Sequence, residues 1–103
     1  MSTDNREDIY RTKLNLETSQ IAWKELQRHF ASGTVRVVTD DLDLVEVAYQ
    51  ISENNVAQVS RWLENQQLAV VSDDQARTWW ENDAQLWAVV ISPWVLVQQR
   101  TLH

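Results

Sequence analysis

The chain has 103 residues, of which 15 are acidic and 9 basic, giving a net charge of −6; it contains six tryptophans, one glycine, one proline and no cysteine. That length makes one domain, able to bury roughly two-thirds of its unfolded surface. The lack of cysteine excludes disulfides and thiolate metal sites, and an acidic balance without a Lys/Arg cluster weighs against phosphate backbones and anionic lipid as partners.

In chain order, residues 1–8 are polar and acidic and read as a tail, not as a signal peptide. Residues 9–98 form the domain and 99–103 a second short tail. From about residue 9 to residue 31 there is neither Pro nor Gly, which predicts one long helix ended by Gly33 as a left-handed C-cap. Its apolar residues fall into two groups, Tyr10, Leu14, Ile21 and Ala22 on one side and Leu16, Trp23, Leu26 and Phe30 on another. A stripe that wide predicts cover on two sides, one of them a partner subunit. Residues 34–39 are a short β-type run. Asp40-Asp41 offers a helix N-cap with Asp43 near the third helical position, and Leu44, Val47, Ala48 and Ile51 repeat at helical spacing.

Asn54-Asn55 punctuates the chain before a third helix, about 56–67, expected to bury Val56, Val59, Trp62 and Leu63. Residues 68–71 are a second β run. Ser72 and Gln75 have the spacing of a capping box and open a fourth helix with Ala76, Trp79 and Trp80 on its apolar face. Residues 86–98 are the longest apolar stretch, too short and too interrupted at Ser92-Pro93 to span a bilayer, and are read as the longest strand or strand pair of the sheet. The segment after Pro93, Trp94 to Val97, is where a partner would be sought. The expected fold is therefore α+β, with four helices, a small three-stranded sheet and a central helical hairpin. Its element order is also that of a winged helix.

Three functional readings compete. In the first, the protein is a non-enzymatic interaction domain, a homodimer or the partner of another protein. Trp23, Phe30, Trp79, Trp80, Trp94 and Leu96 supply the interface, because tryptophan is enriched at binding hot spots. In the second, the 56–67 helix reads DNA through Gln58, Arg61 and Asn65. That helix has one Arg and also carries Glu64, so a helical hairpin packed on a sheet is preferred and nucleic acid is disfavoured. In the third, Asp40, Asp41, Asp43 and Glu46 hold a divalent cation, although the cluster lacks the glycine and ligand spacing of a calcium loop and capping explains the same residues.

His29, four residues after Glu25, has the spacing of a surface ion pair, and His103 is terminal. No Gly-rich phosphate loop, HExxH or G-x-S-x-G pattern occurs, so no cofactor and no catalytic residue is expected. The absence of an export signal and of cysteine points to the cytoplasm.

Three stretches, IAWKELQRHFASG, LDLVEVAYQISENNVAQVSRWLENQQL and LWAVVISPWVLVQ, together resemble a small family of bacterial proteins built on a domain of unknown function. The resemblance runs from about residue 13 to residue 98, and its PWVLVQ ending is the most specific part. It implies a bacterial cytoplasmic protein and brings no established site residues.

Overall fold

The structure, a computed structural model, describes residues 5–99. Within them lie five α-helices and one mixed five-stranded sheet. The elements run α1 (Asn5–Glu17), β1 (Ser19–Ala22), a 3₁₀ turn (Trp23–Leu26) continuing into α2 (Gln27–Ala31), β2 (Val35–Val38), α3 (Leu44–Ser52) and α4 (Val56–Glu64). They continue with β3 (Leu68–Val70), α5 (Asp73–Glu81), β4 (Gln85–Ile91) and β5 (Trp94–Gln98). The α+β class stands, with one helix and two strands more than expected, and α1 already begins within the stretch read as a tail.

The single long helix over residues 9–31 does not form. Helix α1 closes at Thr18, whose Oγ1 donates to the Leu14 carbonyl at 2.7 Å and whose amide donates to Asn15 at 3.2 Å. Such local hydrogen bonds let Ser and Thr compete with helix propagation. The next four residues then pair antiparallel with β4, Ser19 opposite Ala88 and Ala22 opposite Gln85. Pairing an exposed β4 edge outweighs the modest helical propensity of a Ser-Gln-Ile-Ala segment. The apolar residues of the expected two-sided stripe belong to four successive elements, α1, β1, the 3₁₀ turn and α2, and form no single helical face.

The stretch 86–98 is a hairpin, with Trp87 opposite Gln98 and Ile91 opposite Trp94, turning at Ser92-Pro93 through a cis peptide bond. It occupies the middle of the sheet, whose order is β1-β4-β5-β2-β3. Strand β5 runs parallel to β2, and β2 antiparallel to β3. A winged-helix reading would put this hairpin at the sheet edge as the wing, whereas here both its strands have neighbours on either side.

Helices cover both faces. On one face Leu14, Leu44, Val47, Ala48, Tyr49 and Trp62 from α1, α3 and α4 pack on Val38, Leu68, Val89 and Leu96. On the other, Trp23, Leu26 and Trp79 pack on Val35, Leu86, Ala88, Val95 and Val97. A strand buried on both faces needs apolar residues at successive positions, which is why 94–98 shows no alternation. Each fully buried Val or Leu there contributes about 1.5–3 kcal/mol.

The helix ends are uniform. Helices α2 to α5 each stop in a Schellman arrangement, the left-handed position being Gly33 (φ 77°), Asn54 (57°), Gln66 (61°) and Asp83 (52°). The paired bonds are Thr34 to His29 and Gly33 to Phe30, then Asn55 to Gln50, Gln67 to Trp62 and Ala84 to Trp79 with their inner partners. Gly33 therefore ends α2 as expected. At the start of α5, Ser72 and Gln75 form the reciprocal capping box, both bonds 3.1 Å. Helix α3 is capped by Asp43, not by Asp40-Asp41, because the chain first turns through residues 40–42 with the Leu42 amide donating to Thr39.

Candidate functional site

Helix α1 is tied to α3 by one polar network. Arg11 donates from Nε and Nη2 to the two Glu46 oxygens at 3.0 and 3.2 Å, and from Nη1 to Glu7 at 2.6 Å. Tyr49 Oη donates to the other Glu7 oxygen at 3.0 Å, Gln50 Nε2 donates to Glu46 at 2.7 Å, and the Arg11 guanidinium lies 4.1 Å from the Tyr49 ring centre. The hydrogen bonds from Arg11 and then Tyr49 hold the Glu7 carboxyl below its ordinary range, and the bonds to Glu46 and Glu7 push Arg11 further up. Burial first, then the bond to Glu7, raises the Tyr49 phenol.

This network disposes of Glu46 as a free ligand, and its three expected companions are engaged or turned outward. Asp43 accepts from the Val45 and Glu46 amides as the cap. Asp41 accepts from the Thr39 hydroxyl and from Gln67 Nε2, bonds that hold its carboxyl below the ordinary range. Asp40 is exposed. No group of three or more His, Cys, Asp or Glu side chains converges for a metal among the described residues. The carboxylates close in sequence are spread over a turn, a cap and a helix face, and Asp41, Asp43 and Glu46 are each bound by protein donors.

On α4, Arg61 and Asn65 face solvent, Gln58 is half-buried, and Asn65 lies just past the last helical residue. The surprise on this helix is apolar. Only Trp62 is buried, while Val56 is 64% and Leu63 41% exposed, against the expectation that both are core. Helix α4 is the outer member of the α3–α4 hairpin, so one wide residue reaches the sheet and its flanks stay open. Beside Val56 a groove of about 200 Å³ runs between the hairpin turn and the β4–β5 turn, lined by Ile51, Val56, Val59, Pro93 and Trp94. Arg36 lies 5.0 Å from the Trp94 ring centre.

The six residues expected at an interface divide. Trp23, Trp79 and Leu96 are 1%, 3% and 0% exposed and belong to the core, a correction that follows for Leu96 from β5 being central and for Trp23 and Trp79 from their packing together on the sheet. For the same reason Val95 and Val97 offer a partner nothing. Trp23 stacks edge-on against Trp79 at 5.1 Å and Phe30 at 5.3 Å, its indole donating to the Ala76 carbonyl at 3.1 Å. Phe30 is half-buried in that cluster. Trp80 is 48% exposed and Lys24 lies 5.1 Å from its ring centre, far round the molecule from the groove on the other face of the sheet. Of the six, only Trp94 lines the groove.

Sequence reading missed Val56, Leu63 and Pro93 as surface residues. The helical spacing that placed Val56 and Leu63 in the core marks a face of α4, and spacing alone does not tell a face against the sheet from one open to solvent. No helix among the described residues is long and apolar enough to cross a membrane.

Comparison with known proteins agrees with the resemblance seen in the sequence. A family model described as protein of unknown function (DUF2288) matches residues 9–99. The NMR solution structure of PA1075 from Pseudomonas aeruginosa is similar throughout, with a TM-score of 0.78 and 39% sequence identity, the match covering 100% of this chain and 99% of that one. No curated protein matches.

Proposed function

We propose that this chain, which belongs to the DUF2288 family of proteins of unknown function, is a non-enzymatic interaction domain whose groove beside Trp94 receives an apolar anchor from a basic partner protein. The carrying observation is the exposure of Val56 in the wall of a mostly apolar groove, with Leu63 exposed further along the same helix. At about 200 Å³ the groove falls below the roughly 300–1,000 Å³ of small-molecule pockets and suits one inserted side chain of a protein hot spot. Trp94, half-buried and backed by Arg36, is a rigid wall for such an anchor. The net charge of −6 sets the partner's sign, since two copies of this chain repel each other while a basic segment is drawn in.

A photo-crosslinking residue placed at Val56 in the full chain, in the native cell, tests this against the same residue at Glu81. The expected product forms from position 56 and not from position 81, contacts a segment richer in Lys and Arg than in Asp and Glu, and disappears with Leu63→Lys. No product at 56, or the same product from both positions, overturns the proposal. So does a product of two copies accompanied by a sedimenting dimer, which returns the face to a homodimer.

A further inference from the structure

At the opposite end of α3 from that groove, neighbouring strands of the sheet carry a hydrogen-bond donor and an acceptor that no group among the described residues binds. Trp87 on β4 and Gln98 on β5 are direct cross-strand partners, so their side chains stand together on one face. Gln98 is fully buried, and its Nε2 donates to the Thr39 and Leu42 carbonyls, each at 2.8 Å. Both acceptors are carbonyls, which fixes the orientation of the amide and turns Oε1 away from them. Oε1 of Gln98 and Nε1 of Trp87 are both buried and neither has a partner among the described residues. A buried polar atom without a partner forfeits its hydration, and a donor and an acceptor left so on paired strand positions call for an explanation.

Both residues line a cleft of about 590 Å³ between α1 and the start of α3, within the roughly 300–1,000 Å³ range of small-molecule sites. Leu44, Val45 and the Trp87 ring give it apolar surface, and Arg11, Thr12 and Asn15 of α1 form the outer wall. Arg11 is already neutralised by Glu46 and Glu7, and Asp43 adds a further negative charge at the rim. That balance disfavours an anionic ligand.

We propose that this cleft binds a small neutral molecule with a cis-amide edge. Its carbonyl accepts from Trp87 Nε1, its adjacent N–H donates to Gln98 Oε1, and its body lies against Leu44 and Val45. Lactams and free nucleobases that carry a ring carbonyl beside an N–H, such as uracil, share that edge. The reading is independent of the groove, which uses neither residue.

The test is a titration of the isotopically labelled full chain with pyrrolidinone and with uracil, followed at the Trp87 indole N–H resonance. N-methylpyrrolidinone, which keeps the carbonyl and loses the donor, is the control. A saturable displacement is expected, at least tenfold weaker with the methylated probe, and the tighter of the two cis-amides identifies the ligand body. Trp87→Phe is expected to melt cooperatively and to lose the saturable displacement of the Gln98 amide resonances. No saturable displacement with either probe, equal response to the methylated one, or unchanged binding by Trp87→Phe overturns the proposal and leaves the two atoms to a bridging water only.

Discussion

The two faces of the sheet are built on different principles. The face under α2 and α5 is closed by aromatic packing, with Trp23 wedged between Trp79 and Phe30 and both tryptophan indoles hydrogen-bonded, Trp79 to Gln99 at 3.2 Å. The face under α1, α3 and α4 is closed at its centre by aliphatic residues together with Tyr49 and Trp62, and at its margin by exposed ion pairs and hydrogen bonds, with a cleft at one end of α3 and a groove at the other. Wide rings fill space in one piece and seal what they cover. On the second face the openings lie at the margins of three helices, at the start and the end of α3. The candidate sites lie on this second, open face.

The largest effect that probes this contrast comes from deleting the aromatic wedge. Trp23→Ala is expected to cost about 4 kcal/mol, against about 3 kcal/mol for Leu14→Ala on the open face, both read from urea unfolding midpoints. Equal or reversed losses would show that the open face is as tightly closed as the other. Next come the helix starts, one on each face. Ser72→Ala under α5 and Asp43→Ala at α3 are each expected to cost about 1 kcal/mol, since each removes a side-chain acceptor from orphan amides.

The helix ends offer a change of opposite sign. Gln66→Gly relieves a left-handed residue that has no glycine freedom and is expected to stabilise the chain by about 1 kcal/mol, raising the melting temperature by roughly 4–8 °C. Gly33→Ala should lose a similar amount for conformation alone, because a Cβ there meets nothing within 4 Å.

The smallest effect is that of acid, and it belongs to the open face. Glu7 has its carboxyl held below the ordinary value of 4.5 by Arg11 and Tyr49. The folded state thus binds its proton less readily than the unfolded chain, and the stabilisation is fully present above that value and lost as pH falls through the lower folded value. The melting temperature of Glu7→Gln is expected to fall less steeply below pH 4.5 than that of the unaltered chain. Identical slopes would place the acid sensitivity elsewhere, Asp41 being the next group held low.

Much of the fold was legible. The presence of α3, α4 and α5, the start of α4 after Asn54-Asn55, the capping box at Ser72, the cap at Gly33 and the β runs near 35–38, 68–70 and 86–98 are set by short-range signals that the sequence states directly. Strand β1 was not legible, because Ser19–Ala22 has no β signature of its own and becomes a strand through pairing with a β4 that lies more than sixty residues away. Of the candidate sites, Trp94 was visible as an aromatic next to a turn. The exposure of Val56 and the meeting of Trp87 with Gln98 were not, since exposure depends on what a helix face packs against and the meeting depends on hairpin register.

By itself, then, the sequence determined the class, the apolar stretch at 86–98 as the element needing cover, and local rules that begin and end several helices, because those are decided within a few residues by hydrogen bonding and side-chain shape. Only the tertiary structure decided that this hairpin is the centre of the sheet and not its edge. Burial on both faces and pairing on both sides turned Leu96 and its neighbours from a docking strand into core. The open surface passed to the margins of α3 and α4, where distant segments meet.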